Sequence, residues 1–320
     1  MYLFYEAVRS LGIPDNRIVV MIGEDIPCNP RNPYPGKLYA YSPSVSSPMY
    51  PFESPRTDIH GNEVNRRRFL ELLAARYHPF TPRSQRIASD GSSDVLVYLS
   101  GHSAVGYTKF QDVEDLAADD IADAFEIMHK KGLYNRVFWI SDTCRAASLH
   151  NAFYSKEIAC LGSSGESESD KSYSHHRVPL IGQALLDKFT TMTLDGIKRF
   201  GGWKSVSLRQ LFSFYDPVRL GAVPNLRMDL VSQHDIKLID FFGAKDTIRK
   251  IVVTGDAPSQ RTFSKSNNSE SLTKLHVYTR HDTNRGNIDE TITSEPPPQW
   301  NHLISLATVG FIITYLITSS

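Results

Sequence analysis

The sequence predicts an α/β protein built on a parallel-rich sheet with helices on both faces. Three observations carry that reading. Short β-rich apolar runs alternate with stretches of helical periodicity, the pattern of consecutive βαβ units. Apolar residues make up 41% of the 320 residues, and 19 glycines bring the total into the globular range, enough for at least one sizeable core. Charged residues at 22% exclude a largely disordered or polytopic chain.

In chain order, Leu3 to Leu11 reads as an amphipathic helix stopped by Gly12. Arg17 to Ile22 (RIVVMI) is a strand, followed by a proline-rich loop through Pro55. Between Val64 and Tyr77, Phe69, Leu72, Leu73 and Tyr77 recur at helical spacing. Asp94 to Leu99 (DVLVYL) is the second strand. Ile121, Ala124, Phe125 and Met128 form a helical stripe that ends at Gly132. Arg136 to Ile140 (RVFWI) is the third strand and Glu157 to Leu161 the fourth. Leu180 to Phe200 is a long helix closed by Gly201 and Gly202. Beyond it the pattern weakens, with one further strand over Ile236 to Phe242 (IKLIDFF). No internal repeat is visible.

The division that follows is a folded body over 1–250, a polar linker over 251–300 and a membrane anchor over 301–320. The linker is rich in Ser, Asn, Thr and Asp. It carries one glycosylation sequon, Asn267-Asn268-Ser269. The anchor rests on Leu303 to Thr318, an uncharged run after Pro296, Pro297, Pro298 and Trp300. At about 1.5 Å per residue it reaches about 24 Å, a little short of a bilayer core of about 30 Å. A buried amphipathic helix would show a polar face, which this run lacks. Small residues near Ser294, a polar spacer and an apolar end also satisfy the crude pattern of a GPI-attachment signal. Lysine plus arginine and aspartate plus glutamate both number 35, and that neutrality argues against a dedicated nucleic-acid binder.

The chemistry lies where two strands end. One runs out at Leu99-Ser100-Gly101-His102 and another at Ile140-Ser141-Asp142-Thr143-Cys144. Parallel strands joined by the intervening helix put both carboxyl ends on one edge of the sheet, where α/β proteins hold their ligands. A cysteine and a histidine delivered there suit a nucleophile and its proton-transfer partner, and a thioester is an activated acyl group. Of the three cysteines, Cys160 sits inside an apolar strand and reads as core.

These stretches resemble the catalytic subunits of glycosylphosphatidylinositol (GPI) transamidases, relatives of the legumain-like cysteine peptidases with a caspase-type fold. The resemblance is carried by Leu99 to His102, Lys109-Phe110-Gln111-Asp112, Ile121 to Phe125 and Asp142-Thr143-Cys144. It extends to Leu11 to Asp15, Cys28-Asn29-Pro30-Arg31-Asn32-Pro33 and Asp240 to Gly243, and so covers about residues 1–250. It implies a caspase-like body, Cys144 as nucleophile and His102 as its partner. The implied substrates are secretory proproteins with a C-terminal GPI signal and, as acceptor, the ethanolamine amine of a GPI lipid. No cofactor is implied for the reaction. Implied partners are the other transamidase subunits and the membrane, with the catalytic body in the lumen of the endoplasmic reticulum. Backbone N–H groups near Cys144 and after His102 would form the oxyanion hole.

Within that resemblance several positions are particular. Ser103 follows the histidine where the family usually has glycine, and its N–H remains available for an oxyanion. Arg145 follows the nucleophile where glutamine is common; it can favour the thiolate or stand as a surface charge. Cys28 maps to a cysteine that forms a disulfide to another subunit. A structural calcium site maps to Asp15, Asp58 and the Ile18 carbonyl, with its third acidic position falling near Arg56. His175 and His176 are candidates for substrate contact or a solvated loop. The family has a strand and loop before its first helix, whereas this chain begins inside that helix, so the expectation is a missing first strand in a truncated or mis-started chain. Two other readings are an asparaginyl endopeptidase on the same fold and a noncatalytic relative acting as scaffold.

Overall fold

The computed structural model describes residues 1–30, 32, 34–41, 49–52, 57–111, 113–175, 186–199, 206–233, 235–242 and 310–317. Helix α1 (Tyr2–Ser10) lays Phe4, Tyr5 and Val8 on one buried stripe and leads into strand β1 (Ile18–Ile22). A separate hairpin pairs β2 (Leu38–Tyr41) with β3 (Met49–Phe52). The short β4 (Ile59–His60) precedes α2 (Arg66–Leu73), whose first turn is capped by the Asn65 side chain accepting from Arg68 N–H. Strand β5 (Ser93–Ser100) runs into a three-stranded meander of β6 (Ser103–Ala104), β7 (Tyr107–Phe110) and β8 (Glu114–Ala117). Helix α3 (Ala118–Lys130) returns the chain to β9 (Arg136–Asp142), and α4 (Ala146–His150) returns it to β10 (Ile158–Gly162). Next come α5 (Lys188–Arg199), α6 (Leu208–Ser213), α7 (Pro217–Leu220), β11 (Asn225–Arg227), α8 (Ile239–Phe242) and β12 (Gly310–Ile317).

Among the described residues the main sheet has the order β11-β10-β9-β5-β12-β1-β4. Strands β5, β9 and β10 are parallel neighbours, whereas β12 is antiparallel to both β5 and β1. Side chains alternate across the sheet. Leu96 and Tyr98 face a core shared with Phe4, Phe138, Phe189 and Phe242. Val95, Val97 and Leu99 face the opposite core with Phe69, Leu73, Phe125 and Trp139. Both faces are therefore covered by helices, as the sequence predicts. Full burial of each large apolar side chain contributes about 1.5–3 kcal/mol.

Two sequence expectations are corrected. The apolar run expected to form a membrane helix over 301–320 is a strand over Gly310–Ile317, paired from Gly310↔Ser100 to Ile317↔Ser93 and, on its other side, from Ile18↔Thr314 to Ile22↔Gly310. No helix among the described residues is long and apolar enough to cross a membrane. Strands β1 and β5 are buried throughout or nearly so, and the slot between them accepts an apolar segment whose backbone bonds to both. Ile236 to Phe242 is not a strand: one bridge, Ser207↔Lys237, gives way to the helical turn α8. There Ile236, Leu238, Phe241 and Phe242 are all buried in the core that holds Phe4 and Phe138, and Asp240 reaches Arg136. The long helix expected from Leu180 is described over Lys188–Arg199. The polar linker and the Asn267 sequon lie outside the described residues.

Candidate active site

Register places the two predicted residues at equivalent heights. Strands β5 and β9 are paired in parallel with Ser100 opposite Asp142, so His102 and Cys144 each lie two residues beyond the same rung. Adjacent strands are about 4.8 Å apart, so this brings the two segments side by side at the carboxyl edge. His102 is exposed and Cys144 half-buried, which suits groups that must meet a substrate. His150, only six residues past Cys144, is fully buried in α4 with its Nε2 2.9 Å from Asn225 Oδ1, and burial pulls it down to about 4. It stays neutral at neutral pH.

Cys144 sits on a sharp turn. Arg145, immediately after it, adopts the left-handed region at φ 54°, ψ 35°, and the chain then enters α4. Serine hydroxyls hold this turn. Ser163 Oγ accepts from Thr143 N–H at 3.0 Å. Ser164 Oγ donates to the Thr143 carbonyl at 2.8 Å and accepts from Ala146 N–H at 3.0 Å. Ser148 Oγ donates to the Arg145 carbonyl at 2.7 Å and accepts from Gly106 N–H at 3.0 Å. Ser103 Oγ donates to the Cys144 carbonyl. Arg145 is itself pinned: its N–H donates to the Asp170 carbonyl at 3.1 Å and its Nη2 to the Glu168 carbonyl at 2.5 Å.

Two backbone N–H groups at the ends of these segments have no hydrogen-bond partner among the described residues. One is Cys144 N–H. On the histidine side, Lys109 N–H donates to the His102 carbonyl at 2.9 Å, which makes 102 and 109 the bonded pair and 103 and 108 the non-bonded one. Ser103 N–H therefore points away from its hairpin partner. Two such donors beside a thiol are what an oxyanion needs.

Beneath the turn lies a carboxyl group that the sequence did not mark. Asp142, buried at the end of β9, accepts from Ser172 Oγ at 2.8 Å, Thr190 Oγ1 at 2.6 Å and Thr190 N–H at 3.2 Å. Burial, reinforced by the charge of Asp187, lifts it to about 7 against the opposing pull of the Thr190 and Ser172 hydrogen bonds. Tyr98 extends the chain, its OH 2.6 Å from Thr190 Oγ1.

Residues 1–214 match the peptidase C13 family. The chain belongs to that family. Among similar proteins, the GPI-anchor transamidase of Saccharomyces cerevisiae is 36% identical over 240 residues, 74% of this chain and 57% of that protein. The human GPI-anchor transamidase is 36% identical over 252 residues, 78% of this chain and 62% of its own. That of Schizosaccharomyces pombe is 37% identical over 245 residues, 75% of this chain and 63% of its own. The chain thus spans about three fifths of the length of these curated relatives.

The remaining predicted residues of this C13 chain lie elsewhere. Cys28 is exposed, in a loop organised by Asn32, whose Nδ2 donates to the carbonyls of Ile26 at 3.2 Å and Lys37 at 2.8 Å. The Asp25 side chain beside it pushes the Cys28 thiol up. Cys160 is buried in β10, and burial pushes its thiol far up, so it is inert core. Of the residues mapped to calcium, Asp15 Oδ1 accepts from Tyr5 OH at 2.6 Å and pairs with Arg9 at 2.9 Å, and Asp58 Oδ2 accepts from Val20 N–H at 3.0 Å. Among the described residues no group of three His, Cys, Asp or Glu side chains could hold a metal ion. His175 Nε2 is 3.1 Å from Thr191 Oγ1, on the loop that also carries Ser172; His176 lies outside the described residues. Ser163, Ser164 and Ser172 were missed because single polar residues in loops carry no periodic signal. One clue was present: the polar pair Ser163-Ser164 closes a third apolar strand at the same sheet edge.

Proposed function

We propose that the chain is the catalytic subunit of a GPI transamidase, a caspase-type fold on which Cys144 is the nucleophile and His102 its proton-transfer partner. The observation that carries the reading is the shared register, which sets both residues two positions past one rung with two backbone donors beside them. His102 takes the thiol proton as Cys144 Sγ attacks the carbonyl of a small residue upstream of the GPI signal. The tetrahedral oxyanion receives hydrogen bonds from Cys144 N–H and Ser103 N–H. His102 then gives the proton to the departing amine as the C–N bond breaks, releasing the signal peptide and leaving a thioester. The ethanolamine amine of a GPI lipid attacks that thioester, passes a proton to His102, and Cys144 leaves as thiolate. Amines attack thioesters far better than water does, so exclusion of water from the site favours transfer over hydrolysis.

The similarity to proteins named GPI-anchor transamidases supports the same reading for the reaction; on that reading the body works in the lumen of the endoplasmic reticulum, assembled with other subunits. Cys28, exposed on its loop, is the residue we assign to an intersubunit disulfide. The test is complementation in cells depleted of the native subunit. Cys144→Ala and His102→Ala should each fail to restore GPI attachment, while restoration by either overturns the assignment.

A further inference from the structure

We propose that Ser103 is a positioning residue that locks the histidine-bearing segment to the nucleophile turn through its side-chain hydroxyl. The inference rests on the transamidase reading and concerns how the two reacting groups are held in register. Four serines bond the turn from Thr143 to Ala146. Ser163 and Ser164 follow β10, and Ser148 lies in α4, where it also accepts from Gly106 N–H at 3.0 Å. Ser103 is the one of the four that comes from the segment carrying His102.

Its hydroxyl makes two contacts across the gap. It donates to the Cys144 carbonyl and accepts from Thr143 Oγ1 at 2.8 Å. Both contacts tie the residue after His102 to the nucleophile turn. The carbonyl that Ser103 holds belongs to the peptide joining Cys144 to Arg145, and the N–H of that same peptide donates to the Asp170 carbonyl at 3.1 Å. The peptide plane is thus gripped at both ends. That matters because Arg145, a non-glycine residue, is kept in the left-handed region. Without the hydroxyl, rotation of this plane relieves Arg145 and turns Cys144 relative to His102. Small misplacements of reacting groups lower rates far more than they lower substrate binding.

The test compares Ser103→Ala with Ser103→Thr in the full chain, in the membranes where it is expressed. Transfer to hydrazine gives kcat and KM. Ser103→Ala should lower kcat about tenfold with KM changed less than about twofold. Ser103→Thr, which keeps the hydroxyl, should restore kcat. Unchanged kcat in Ser103→Ala overturns the proposal, as does an equal loss in Ser103→Thr. Transfer that survives Cys144→Ala in the same membranes instead overturns the transamidase reading itself.

Discussion

Replacing Asp142 by asparagine should flatten the pH dependence of stability, because this carboxyl is protonated in the folded protein over a range where the unfolded chain has lost the proton. Burial and the Asp187 charge raise it from an ordinary 3.8 to about 7. A raised carboxyl means that the folded state binds more protons than the unfolded state between those values. Its contribution is fully present below about pH 4 and is lost as pH rises through about 7. At about 1.4 kcal/mol per pH unit across that window, the loss is on the order of 4 kcal/mol. The asparagine side chain cannot ionise and keeps an oxygen acceptor for Ser172 Oγ. Urea unfolding of the wild type and of Asp142→Asn at pH 4.5, 6, 7 and 8 compares the two chains across that window. The variant should gain on the wild type by about 3 kcal/mol between pH 4.5 and pH 8. Parallel stability curves would refute the argument that Asp142 is buried and raised.

Two further outcomes follow from the same structure. Arg136 bridges the buried Asp94 at 2.6 Å and Asp240 at 3.1 Å, so Arg136→Ala should lower unfolding free energy by about 3–5 kcal/mol through the orphaned Asp94 charge; a loss under about 0.5 kcal/mol contradicts it. For Cys28, a nonreducing gel of membranes should show a higher-mass species that disappears in Cys28→Ser, and its persistence excludes that cysteine from the bridge.

The placement of the candidate site was legible where chemistry coincides with strand ends. His102 and Cys144 follow apolar runs whose β character is plain, and a crossover helix between them sets both on one edge. The helical stripe Ile121 to Met128 was equally clear because its buried positions repeat at helical spacing. What stayed hidden depends on contacts between distant residues. Asp142, Ser172, Thr190 and Tyr98 meet across up to 92 positions of chain, and no local pattern announces such a network. The uniform apolar run at 303–318 shows a second limit. Without alternation, composition alone does not separate a membrane helix from a strand buried between two others, and Gly310–Ile317 pairs on both sides. Ile236 to Phe242 misled for the opposite reason: β-prone residues are buried there in the core on a segment that ends in a helical turn.

The most direct test of the transfer chemistry is to supply hydrazine to membranes holding the full chain and a GPI-signal proprotein, then read the new C-terminus by mass spectrometry. The account predicts a hydrazide-capped product with the wild type and none with Cys144→Ala. Free-acid product alone, or hydrazide formation that survives Cys144→Ala, would contradict it.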